Sequence, residues 1–99
     1  MAYKIDFAFF AKEHLKHLTA TQRAAIFDAV KKQLVHEPFV ETRNRKSLRE
    51  NPIAPWELRI GDLRVFYDLS PEEPNVVEIV AVGIKRENRL LIAGKEIKL

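Results

Sequence analysis

The sequence predicts an α+β domain: an N-terminal strand and a two-helix hairpin packed on one face of a small antiparallel β-sheet. Three observations carry that reading. Apolar residues recur at helical spacing only between about residues 9 and 36, and from Trp56 onward they alternate or run on as β-branched stretches. Gly61-Asp62 divides W-E-L-R-I from L-R-V-F-Y-D-L as a tight hairpin loop does. Helices that precede hairpin-connected strands, without alternating with them, define this class.

The first strand is short: Tyr3, Ile5 and Phe7 alternate with Lys4 and Asp6. Phe7, Ala11, Leu15 and Leu18 then fall at helical spacing, giving a first helix from about Phe9 to Leu18. Thr19-Ala20-Thr21-Gln22 has the form of a capping box, which starts a second helix carrying Ile26, Phe27, Val30 and Leu34. That helix must stop near His36, because Pro38 disfavours helical geometry at the residue before it. Residues 37–55 form a connection rich in charge and proline, anchored on the core at Ser47-Leu48.

In the central hairpin the loop sets the register, so Arg59 faces Arg64 and Glu57 faces Phe66. Trp56, Leu58, Ile60, Leu63, Val65, Tyr67 and Leu69 share one face, with Trp56 and Tyr67 directed to the core. Glu57, Arg59, Arg64, Phe66 and Asp68 share the other, more open face. Pro71-Glu72-Glu73-Pro74-Asn75 is a turn, and Val76–Ile84 is apolar enough for a strand covered on both sides. The tail reads as a turn or short helical piece through Arg89, then a last strand around residues 91–97 broken at Gly94. The order is β-α-α-β-β-β with a short C-terminal strand or helix.

Composition narrows the function. A chain of 99 residues with 46% hydrophobic content supports one domain over residues 1–99 with a modest core. The absence of cysteine excludes disulfides and thiolate metal sites and fits a reducing cytoplasm. No apolar run is long enough to span a bilayer, and M-A-Y-K-I-D-F lacks the form of a signal peptide. Seventeen basic against 14 acidic residues give a net charge of +3, which permits a nucleic-acid partner.

The candidate site is built on arginine. Two guanidinium groups directly opposite on adjacent strands destabilise a sheet, a cost that binding an anion such as phosphate offsets. If the strand after residue 76 contains no bulge, Arg86 shares the parity of Glu78 and joins Arg59 and Arg64. Lys85, Arg89 and the 43–49 segment with Arg45 and Lys46 would rim the concavity, and Phe66 would offer a stacking surface. Glu57 is the base candidate by residue type, with Lys46 and Lys85 as alternatives, since arginine does not deprotonate in proteins. The alternative is a solvated face on which Glu57 and Asp68 neutralise the arginines. His14 and His17, three apart, lack the further ligands of a zinc site and are expected to be solvated or helix-end histidines. No metal or cofactor is expected.

The element order, with W-E-L-R-I-G-D-L-R-V-F-Y-D-L, V-V-E-I-V-A-V-G-I-K-R-E-N-R and N-R-K-S-L-R, resembles the RelE/ParE superfamily of type II toxin–antitoxin toxins. The resemblance implies a toxin neutralised by a cognate antitoxin in a hetero-oligomer. RelE-like members are metal-independent, ribosome-dependent endoribonucleases that cut mRNA in the A site; ParE-like members inhibit DNA gyrase without being enzymes. A non-toxic, antitoxin-binding relative is a third possibility. By position, Arg64 and Arg86 match arginines placed at the scissile phosphate, and Arg59 matches a basic residue of the preceding strand. Glu57 stands where a second lysine is usual, and Ile92 near where a C-terminal tyrosine is usual.

Overall fold

A computed structural model describes residues 2–99. The elements are β1 (Lys4–Phe7), α1 (Phe9–Leu15), α2 (Ala20–Gln33), β2 (Arg45–Ser47), β3 (Trp56–Ile60), β4 (Leu63–Leu69), β5 (Val76–Arg86), β6 (Arg89–Ile92) and β7 (Lys95–Ile97). The strands form one sheet in the order β2-β3-β4-β5-β6-β7, with neighbours antiparallel. β1 pairs in parallel with the first residues of β5, on the edge whose far end carries β6.

Local chemistry accounts for the boundaries. Thr19 caps α2 through the expected reciprocal box: its hydroxyl accepts from the Gln22 N–H, and Gln22 Oε1 accepts from the Thr19 N–H. α1 ends at Leu15 and α2 at Gln33, each a turn short of the sequence expectation, because caps and turns take up the last periodic residues. The 37–55 connection contributes a strand, β2, which its charge and prolines conceal. The tail contains no helix. Glu87-Asn88 and Ala93-Gly94 all have positive φ, the signature of two-residue primed turns, so residues 86–97 fold as two successive hairpins.

The helices cover the face predicted for them. Ile26 and Val30 of α2, its C-cap residue Leu34, and Ala11 and Leu15 of α1 pack on Leu58, Leu63, Val65, Tyr67, Val77, Ile79 and Val82. Fully burying each large aliphatic or aromatic residue is worth about 1.5–3 kcal/mol. Trp56 stacks on Tyr67, and the Tyr67 hydroxyl donates to Pro38 O at 2.6 Å. Burial holds that phenol well above its ordinary pKa, the Arg45 charge opposing only in part. Leu69 shares the face by parity but lies at the strand end and is exposed.

A β-bulge divides β5. Phe66 is opposite Ala81 while the next residue, Tyr67, is opposite Ile79, so Val80 is the extra residue. Ile79 and Val82 enter the helix-side core, whereas Val80 and Ala81 both turn to the other face. That face is not open along its length. Phe66, Ala81, Ala54, Leu90 and Ile92 form a second buried cluster there, roofed by residues 48–53 and the tail hairpin.

A candidate nucleic-acid interface

Register places the site residues before any side chain is considered. Lys46 of β2 is opposite Glu57 of β3, Arg59 is opposite Arg64 of β4, and Arg64 is opposite Gly83 of β5. Directly opposite residues share a face, and alternation adds Lys85 to it. Lys46, Arg59, Arg64 and Lys85 thus come from four consecutive strands of the sheet and lie on one side of it. Gly83 belongs there for a steric reason: a Cβ on it would come within 2.6 Å of the Leu91 carbonyl oxygen. Only glycine lets β6 approach the sheet that closely.

The cations differ in how they are held. Arg59 Nε donates to Glu57 Oε1 at 2.8 Å, with the Glu57 side chain 8% exposed and that of Arg59 47% exposed. One edge of the Arg59 guanidinium is therefore fixed while the group reaches solvent. Arg64 Nη1 donates to Gly61 O at 2.7 Å and Leu63 O at 2.9 Å, which folds the side chain toward the hairpin turn. Lys85 is tied to that turn through its backbone, its N–H donating to Asp62 O at 2.7 Å. Among the described residues no ion pair engages Lys46, Arg64 or Lys85. Uncompensated cations on one face bind anions, and guanidinium groups suit phosphate oxygens.

Five expected site residues lie elsewhere or act otherwise. Arg86 does not share the Arg64 face: the Val80 bulge reverses the parity of everything after it, so Arg86 follows Ile84 to the helix side. Arg89, directly opposite Arg86, goes with it and lies 4.0 Å from Glu96. Arg45 is buried, with Nε donating to Val40 O (3.0 Å) and Nη1 to Gln33 O (2.9 Å) and Gln33 Oε1 (3.0 Å). It ties the 37–44 connection to the end of α2 instead of rimming a nucleic-acid site. Phe66 is on the expected face but fully buried at the centre of the second cluster, so it offers no stacking surface. Glu57 is a buried partner of Arg59 that positions the guanidinium, not a carboxylate free to take a proton.

One residue of interest carried no sequence signal of its role. His14 Nδ1 accepts the Val82 backbone N–H at 3.3 Å. β1 pairs with β5 only to Ile79 and β6 only from Ile84, and α1 fills the gap between them. His14 thus satisfies an edge N–H that no strand reaches. Burial lowers its pKa below 6.5, and the neighbouring His17 adds to the shift. No group of acidic, histidine or cysteine residues suited to a metal occurs among the described residues.

No protein-family model matches the sequence, and comparison with curated proteins finds no match. Solved structures do match. A chain of the toxin–antitoxin complex RelBE2 from Mycobacterium tuberculosis superposes with a TM-score of 0.71 at 26% identity, covering 86% of this chain and 100% of that one. A double arginine-to-alanine variant of the Escherichia coli toxin RelE, in its free state, superposes with a TM-score of 0.66 at 26% identity, covering 85% of this chain and 84% of that one.

Proposed function

We propose that this chain, which has the RelE-like toxin fold, is the toxin of a toxin–antitoxin pair and cuts mRNA on the ribosome. The face bearing Lys46, Arg59, Arg64 and Lys85 receives the scissile phosphate. The observation that carries the reading is that face itself: four cations from four neighbouring strands, two of them directly opposite each other, with a single buried carboxylate among them. The antitoxin complex among the similar structures supports a cognate antitoxin as partner.

The chemistry follows from the groups available. In cleavage by the ribose 2′-hydroxyl, that oxygen attacks the adjacent phosphorus, negative charge grows on the non-bridging oxygens, and the 5′-oxygen leaves. Arg59, held at one edge by Glu57, and Arg64, presented beside the turn, are donors aimed at the growing charge. Preorganised donors of this kind account for large parts of enzymatic rate enhancement. Neither guanidinium exchanges a proton, and with Glu57 engaged by Arg59 the cations on this face able to do so are Lys46 and Lys85.

Two assays on the same protein distinguish this activity from gyrase inhibition. Primer extension on mRNA from a translating extract should reveal new 5′ ends inside translated codons, and none when translation is blocked before addition. A supercoiling assay with purified gyrase should show no inhibition. Unbroken mRNA with inhibited gyrase would replace this reading with the ParE-like one.

A further inference from the structure

The Val80 bulge removes Arg86 from the strand face and delivers it to a different group of side chains. On the helix side a cleft of about 210 Å³ lies between α1 and the ends of β5 and β6, lined by His14, His17, Gln22 and Arg86 over the apolar side chains of Leu18 and Leu91. Three of its four polar side chains present donors to it. His14 uses Nδ1 to accept the Val82 N–H, so in the neutral ring Nε2 carries the proton and donates. Gln22 uses Oε1 to accept the Thr19 N–H, which leaves its amide NH₂ to donate. Arg86 has only donors. No carboxylate lines the cleft, and Glu13, the acidic residue of α1, is bridged to Lys16 at 2.9 Å. The neighbouring depression at the tip of β5 contrasts with it, since Asp62 and Glu87 stand there beside Lys85, Arg86 and Arg89.

We infer that this cleft is a second anion site, which takes the phosphate of the nucleotide flanking the one on the strand face. A concave site rich in donors and without a carboxylate selects an oxyanion. The apolar floor at Leu18 and Leu91 suits the sugar or base attached to a phosphate monoester or diester better than a bare ion. Arg86 lines both the cleft and the tip depression. An RNA strand leaving Arg64 and Lys85 can therefore pass the Gly61-Asp62 turn and meet Arg86 on the other side of the sheet. This inference rests on the RNA-binding reading above and adds a second point of contact to it.

The test is an NMR titration of the full chain, following the His14 and His17 ring signals, the Val82 amide and the amides of residues 57–65. Inorganic phosphate and the trinucleotide of uridine are the two probes. The trinucleotide should move both sets of signals saturably, and Arg86→Ala should weaken the cleft response about tenfold, the loss expected for one charge-assisted contact. Arg64→Ala should leave the cleft response to inorganic phosphate in place. If the trinucleotide moves residues 57–65 but leaves the His14 and His17 signals unchanged, the cleft site is overturned while the RNA reading stands. A response of the cleft to inorganic phosphate alone would assign it to a free anion and overturn the nucleotide assignment. No response of either region would overturn both readings.

Discussion

Arg59 and Arg64 face each other across the β3–β4 hairpin, and only Arg59 has a carboxylate within ion-pair distance. Directly opposed like charges cost a sheet a few tenths to about 1 kcal/mol. Arg64→Ala should therefore leave the fold intact and its thermal midpoint unchanged or slightly raised, while weakening RNA binding. Binding measured at several salt concentrations should show a shallower dependence, because one fewer phosphate neutralisation releases fewer counterions.

Face membership gives a second prediction. Lys85 shares the sheet face with Arg64, and Arg86 does not. In double-mutant cycles for cleavage, alanine at Lys85 should couple to alanine at Arg64, as residues acting on one phosphate do. Arg86→Ala and Arg64→Ala should combine additively. Strong coupling of Arg86 to Arg64 would contradict the parity assigned by the bulge.

Glu57 separates a positioning role from a base. Glu57→Gln keeps an acceptor for Arg59 Nε, whereas Glu57→Ala removes it. The glutamine variant should keep most of the cleavage rate and its pH profile, while the alanine variant loses rate and about 1–2 kcal/mol of stability. Equal loss in both variants would identify the carboxylate as a proton acceptor.

Arg45→Ala should act on stability. It strips the Val40 and Gln33 carbonyl oxygens of a buried charged donor, worth about 1–3 kcal/mol in chemical denaturation. RNA affinity of the folded fraction should be unchanged. Arg45→Lys should not restore stability, since a single ammonium cannot reproduce the forked contacts.

His14 makes the fold pH-sensitive in a defined direction. Its pKa is lowered in the folded protein, mainly by burial, so the unfolded chain takes up the proton more readily. The stability linked to His14 is present above pH 6.5, its ordinary value, and falls away as pH drops toward the lowered folded value. Thermal midpoints between pH 5 and 8 should fall on acidification more steeply in the wild type than in His14→Gln.

Much of this was legible in the sequence because it depends on local rules. The Gly61-Asp62 loop fixed the register that sets Arg59 against Arg64, and the Thr19–Gln22 box marked the start of α2. What escaped depended on distant partners. Nothing near Val80 signals a bulge, since V-V-E-I-V-A-V-G-I is apolar on both parities, yet that one residue moved Arg86 to the opposite side. Phe66 looked exposed because the residues that bury it, Ala54, Leu90 and Ile92, come from a loop and a tail without clear periodicity. Arg45 looked like one of several surface cations, and its burial follows from unpaired carbonyls on α2 and the 37–44 connection. The role of His14 required knowing that β1 and β6 leave a gap on the edge of β5.

The most direct measurement compares cut sites on translating mRNA for the wild-type chain and the Arg59→Ala/Arg64→Ala variant, with circular dichroism confirming that the variant is folded. The cationic-face account predicts codon-phased cuts from the wild type and their loss from the variant. Undiminished cutting by the folded double variant would contradict it.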